Sequence, residues 1–213
     1  MPDEFNVESS YDGEYLPEIM RVIEALGKVL KPAAVRLRHP KVHTERVPAT
    51  KEHNEGIWVW SSEGPVEDKD HVILYFIHGG GYCFFDGITS HLELATNMME
   101  TLQTTLRSDG WENVAVVAYI IEYSLAPEKI FPTQLQEVVN GYKFLLSQNR
   151  FPVKSDHIAI GGDSAGGGIE LGFLKCLAGN AFCKGLPSPS SCLALNPFVD
   201  FGYSVARKSY DIS

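Results

Sequence analysis

The stretch HIAIGGDSAGGG, residues 157–168, decides the fold. His157–Gly161 is a short apolar run rich in β-formers and too short for a typical helix, so it reads as a buried strand. Ser164–Ala178 follows with helical character, and between the two lies Gly162-Asp163-Ser164-Ala165-Gly166, a G-x-S-x-G pattern. A serine on so tight a strand-to-helix turn is strained. Glycines two before and two after it let neighbouring backbones come close. The helix N-terminus behind Ser164 favours developing negative charge. A glycine-rich turn without chemistry is the competing reading.

Working outward, His71–Ile77, Val114–Glu122 and Cys192–Asn196 are further apolar runs of strand length, and Gly56–Trp60 adds a strand within the otherwise mixed segment Arg36–Pro65. A helix is expected over about Ser90–Arg107, with Ser90 as cap and Leu92, Leu94, Met98, Leu102 and Leu106 facing inward. A second opens from Pro132, with Leu135, Val138, Val139, Tyr142, Leu145 and Leu146 on one face. Strands alternating with helices at this spacing make an α/β fold, a mostly parallel sheet with helices on both faces. Near the start, Leu16, Ile19, Met20, Ile23, Leu26 and Leu30 form a helical stripe over Glu14–Lys31, with Pro17 disturbing its first turn.

A second constellation, His78-Gly79-Gly80-Gly81-Tyr82, also follows a strand directly. Three glycines let backbone N–H groups approach a reacting carbonyl with no side chain in the way, the requirement of an oxyanion hole. Neither glycine run fits the phosphate-binding patterns G-x-x-x-x-G-K-[ST] or G-x-G-x-x-G.

Together with Tyr123-Ser124-Leu125-Ala126-Pro127-Glu128, Phe131-Pro132 and Asn196-Pro197-Phe198-Val199-Asp200, these motifs resemble those of the hormone-sensitive-lipase-like α/β-hydrolases. The resemblance runs from about residue 70 to the end. It implies an α/β-hydrolase fold core over residues 36–213 and a helical cap-like segment over residues 1–35. It also implies a serine carboxylic-ester hydrolase of the esterase, lipase or deacetylase type. In that reading Ser164 is the catalytic nucleophile, and the N–H groups of Gly79, Gly80 and Ala165 form the oxyanion hole. His78, Gly81 and Asp163 support the two motifs. Two departures, Ser124 where many relatives have arginine and Lys129 where many have histidine, concern the support of the loop.

In this fold the triad runs Ser, then Asp or Glu, then His. All 7 histidines (His39, His43, His53, His71, His78, His91 and His157) precede Ser164, while the acids after it are Glu170, Asp200 and Asp211. The expectation is therefore a core whose closing strands, catalytic acid and histidine are missing, and a chain that is poorly soluble and nearly inactive alone. A non-catalytic ligand-binding protein on the same fold is the alternative.

A net charge of −9 excludes the basic face that nucleic acid requires. The acidic start MPDEFNVESSYDGEYLPEIM is no secretory signal, and the apolar runs are too short to span a bilayer, which favours a soluble intracellular protein. Cys83, Cys176, Cys183 and Cys192 show no zinc-binding spacing and read as buried free thiols, with a Cys183–Cys192 bridge as the other option. No metal or cofactor is implied. The partner is a small, apolar ester, for which Tyr82, Phe84 and Phe85 could line a pocket, although core packing accounts for them equally.

Overall fold

A strand whose residues are apolar at every position must be covered on both faces, and Val114–Ile121 (β4) is buried along its whole length. It lies inside a six-stranded sheet made with Val42–Val47 (β1), Gly56–Ser61 (β2), Asp70–Ile77 (β3), Ile158–Asp163 (β5) and Ser191–Leu195 (β6), in the order β1-β2-β4-β3-β5-β6. The computed structural model describes residues 35, 37–61, 69–179 and 181–199. The cap-like segment over residues 1–35 lies outside them save for Val35, as does Asp200.

From β4 to β6 all pairings are parallel, and β1 and β2 join antiparallel at the other edge. Three helices cross between the parallel strands: Leu92–Ser108 (α1), Thr133–Ser147 (α2) and Ala165–Leu177 (α3). Side chains alternate along each strand, so β3 sends Ile73, Tyr75 and Ile77 toward a core with Val138, Tyr142 and Phe173 of α2 and α3. Its Leu74 and Phe76 face the opposite core with Leu92, Ala95 and Met99 of α1. Helices on both faces of a mostly parallel sheet are thus what the apolar runs imply.

Four local expectations are corrected. β1 is a strand the mixed composition of its segment hides. It alternates buried Val42 with exposed neighbours at the sheet edge, where one face meets water. The α1 helix starts two residues late. Asp86, not Ser90, caps the single π-helical turn Gly87–His91 that leads into it, accepting from Thr89 N and Thr89 Oγ1. Of the helix's expected inward set, Leu92 is buried and Met98, Leu102 and Leu106 pack against the core, while Leu94 is exposed. Ala95, Thr96, Met99 and Gln103 are buried beside them, Gln103 bonding the backbone of Val114 and Val116. His157 belongs to a 3₁₀ turn before β5 rather than to the strand.

The fourth concerns the cysteines. Cys176 and Cys183 form a disulfide, tying the end of α3 to the turn that follows, while Cys83 and Cys192 are free and exposed. Neither the reading of four buried thiols nor a Cys183–Cys192 bridge holds. A seven-residue separation lets the chain turn back on itself at Gly179, and Cys192 is committed to β6.

Glu170 of α3 is fully buried, its carboxylate close to the backbone of Gly162 and Leu193 and to the Cys192 thiol. Burial pushes its carboxyl up to about 7. The nearby backbone of Leu193 and Gly162 and the Cys192 thiol pull it down only in part. A folded-state value above the unfolded one means that the native chain holds the proton longer. Stability is therefore highest below the unfolded carboxylate range and falls as pH rises toward 7. Glu170→Gln should abolish this slope. Chemical denaturation should find the variant level with wild type near pH 4.5 and more stable at pH 8, by at most about 3 kcal/mol.

Candidate active site

Parallel strands end on the same side of a sheet, and the pairing of Ile77 with Ile121 and with Gly162 brings three strand ends into line. The loops leaving β3, β4 and β5 therefore meet at one edge, where open α/β sheets form their clefts.

Leaving β5, the chain turns at Ser164 with φ 50° and ψ −112°, a conformation L-residues rarely adopt. Long-range bonds hold it there: Ser164 N donates to Leu195 O at 2.8 Å, and Ser164 O accepts from Phe198 N at 2.8 Å and Gly168 N at 3.1 Å. A Cβ on Gly162 would lie 2.5 Å from the Gly166 carbonyl carbon, so the turn can close only over glycine. Ala165, the first residue of α3, is buried. Its N–H belongs to the helical first turn, which has no intrahelical acceptor.

Beside this elbow runs the glycine loop. The His78 ring is buried and stacks on Tyr123 with centroids 4.0 Å apart, and its Nδ1 donates to Gly79 O at 2.8 Å. Tyr123 in turn donates to His78 O at 2.8 Å, its phenol kept protonated by burial. A Cβ on Gly79 would sit 2.9 Å from the Asp163 backbone oxygen and 3.3 Å from Ser164 Cβ, which places the loop backbone against the serine side chain. Gly80 (φ 124°) would strike Phe84 O, whereas Gly81 (φ 60°) borders open space and requires glycine for its dihedral alone.

All seven site residues expected from the sequence (His78, Gly79, Gly80, Gly81, Asp163, Ser164 and Ala165) thus fall in one neighbourhood. Two others join them without having been assigned a role. Tyr123 braces the glycine loop. His91, buried at the end of the π-helical turn, places Nε2 at 3.3 Å from both Asp163 Oδ2 and Gly79 N. Nothing in sequence spacing separates His91 from the other histidines, since its role depends on how the turn into α1 is wound. Ser124 takes a supporting position through Glu137, which accepts from its N and Oγ at 2.7 Å each.

An apolar groove of about 650 Å³ opens next to the loop, lined by Tyr82, Ile130, Phe131, Leu135, Phe198 and Val199 among others. Phe84 and Phe85 are exposed and lie outside its lining. Among the described residues no helix is long and apolar enough to cross a membrane, and no group of three or more His, Cys, Asp or Glu could hold a metal.

Comparison with known proteins agrees with this geometry. Residues 74–213 match the family model for the alpha/beta hydrolase fold, and the chain belongs to that family. It is 32% identical over 130 residues to neutral cholesterol ester hydrolase 1 of Bos taurus, covering 58% of this chain and 29% of that protein. It is 33% identical over 99 residues to arylacetamide deacetylase of Oryctolagus cuniculus, covering 45% and 22%. The chain thus spans less than a third of the length of these curated relatives in the matched region. Among solved structures, EstE5 soaked with p-nitrophenyl butyrate superposes with a TM-score of 0.60 at 27% identity, over 89% of this chain and 55% of that one.

The elbow's strain gives a test. Ser164→Gly relieves the positive φ at a cost of flexibility in the unfolded chain, and the relief is the larger effect. Urea denaturation should show the variant about 1 kcal/mol more stable than wild type, with an unchanged denaturant slope.

Proposed function

From membership of the alpha/beta hydrolase fold family, we propose that the protein is a serine carboxylic-ester hydrolase working through an acyl-Ser164 intermediate. One observation carries the reading: Gly79 packs against the Ser164 side chain. A carbonyl carbon bonded to Ser164 Oγ would have its oxygen beside the N–H groups of Gly79, Gly80 and Ala165. In acylation Ser164 Oγ bonds the carbonyl carbon, the C–O bond to the alcohol breaks, and the serine proton leaves with the alcohol by way of a base. Water then reverses the sequence and releases the acid. His78, Gly81 and Asp163 keep loop and elbow in register. The hydrolase core is read over residues 36–213, with residues 1–35 as a cap-like segment.

The groove that opens beside Gly81 of the glycine loop supports a small apolar ester as substrate, since the side chains of Ile130, Phe131, Leu135, Phe198 and Val199 offer nothing that would hydrogen-bond a polar one. A net charge of −9 disfavours nucleic acid as a partner. The names of the two curated relatives, an ester hydrolase and a deacetylase, fit the same chemistry.

A fluorophosphonate probe reports an activated serine. Against the near-inactivity expected from the positions of the histidines, this reading requires that wild type be labelled and hydrolyse p-nitrophenyl esters of short acids, and that Ser164→Ala lose both, with at least a thousandfold drop in kcat. A protein that binds apolar esters in the groove yet neither labels nor turns over is a binding module instead.

The groove itself gives a second test. Leu135→Asp, which sets a charge on its wall, should raise KM for longer acyl chains by roughly tenfold or more and leave kcat for p-nitrophenyl acetate within about threefold.

A further inference from the structure

His91 has been given no part in the chemistry, yet it touches both halves of the site. Its Nε2 lies 3.3 Å from Gly79 N, an oxyanion-hole donor in the reading above, and 3.3 Å from Asp163 Oδ2, the carboxylate that precedes the nucleophile. The ring is buried, and its Nδ1 has no hydrogen-bond partner. Phe76 and His78 flank it, with centroids 6.1 and 5.9 Å away.

One nitrogen cannot serve both contacts. To accept from Gly79 N–H, Nε2 must be bare; to bond Asp163, it must carry a proton. With Nε2 bare, the proton sits on Nδ1, a buried donor without an acceptor, and the Nε2 lone pair faces a carboxylate. Both features are costly. With the proton on Nε2, a charge-assisted bond forms to Asp163, which outweighs the two neutral groups then left unpaired, the Nδ1 acceptor and the Gly79 N–H. The second tautomer is therefore favoured. It carries a consequence for Gly79, whose N–H then faces another donor and has no acceptor in the histidine.

We propose that His91 is a positioning residue of the oxyanion hole: protonated at Nε2, it anchors Asp163 and leaves the Gly79 N–H for the oxyanion formed at Ser164. The proposal rests on the esterase reading. An amide already satisfied inside the protein would have to exchange one hydrogen bond for another during the reaction and would stabilise the transition state little. An amide lacking an acceptor in the ground state gains one only as the oxyanion develops, which is what differential stabilisation requires.

Two measurements on the full chain test this. Nitrogen NMR of the labelled protein at pH 7.5 should find the His91 proton on Nε2 and Nδ1 bare; the opposite tautomer overturns the proposal. In ester hydrolysis, His91→Phe fills the ring's space without hydrogen bonding. It should lower kcat about tenfold or more, with KM within about twofold, and weaken a boronic-acid inhibitor, which mimics the tetrahedral anion, by the same factor as kcat/KM. His91→Gln, whose amide can donate to Asp163, should recover to within about threefold of wild type, and it carries the test if the Phe variant does not fold. Variants with wild-type kcat and inhibitor affinity overturn the positioning role while leaving Ser164 as nucleophile. Equal losses in KM and thermal stability without loss of boronate affinity also overturn it. A wild-type chain that neither labels with fluorophosphonate nor hydrolyses esters overturns both readings.

Discussion

A carbon atom added to Gly166 would lie 2.1 Å from the carbonyl oxygen of Ile77. The start of α3 and the end of β3 therefore meet backbone to backbone, and the site follows from that contact. Parallel pairing of β3 with β5 sets the two chain ends side by side, and glycine at 166 lets them close the remaining gap. Only then does the loop after Ile77 run past the residue before α3, and only then can Gly79 abut Ser164. A larger residue at 166 would separate an oxyanion loop from its nucleophile with both motifs intact in sequence.

The strain at Ser164 is held by remote rather than local groups. Its N–H and C=O are bound to Leu195 and Phe198, one at the end of β6 and the other just past it. These bonds clamp the elbow from the side opposite the glycine loop. The Gly167 position then packs tightly on Pro197, and Gly168 meets the Phe198 carbonyl with no room for a side chain. The third and fourth residues after Ser164 are glycine for packing against this clamp, a different reason from the one that requires glycine at 166, 79 and 80.

The sequence makes the sheet's interior readable because burial on both faces demands uninterrupted apolar runs, and β3, β4 and β5 are such runs. The edge is less readable: β1 alternates over only six residues and includes His43, Glu45 and Arg46, a composition equally suited to a loop. Leu92, Met98, Leu102 and Leu106 of α1 do pack on the core, but the leucine pattern fails at Leu94. The structure instead buries Gln103, whose amide satisfies two backbone groups of β4, and leaves Leu94 in solvent. In the site, residues adjacent in sequence to the two glycine motifs could be found by pattern. His91 could not, since its proximity to Gly79 and Asp163 is created by a π-helical turn that periodicity does not reveal.

Two buried polar side chains lie near the elbow, and their different surroundings separate function from tolerance. Glu170 sits nearly two helical turns beyond Ser164 on the β6 side, where the backbone of Gly162 and Leu193 and the Cys192 thiol offset its burial only in part. At low pH it is neutral and at high pH it is a cost, so the fold carries it without deriving order from it. His91 has one nitrogen unpaired, but its other nitrogen lies within reach of an amide and a carboxylate on two different loops. A buried acid kept neutral could be replaced by its amide with little loss. A group that settles which of two partners is satisfied sets the state of both. That distinction depends on which groups a buried polar atom joins: the histidine reaches the glycine loop and the elbow, the glutamate the strands under them, so the histidine belongs to the site and the glutamate to the packing beneath it.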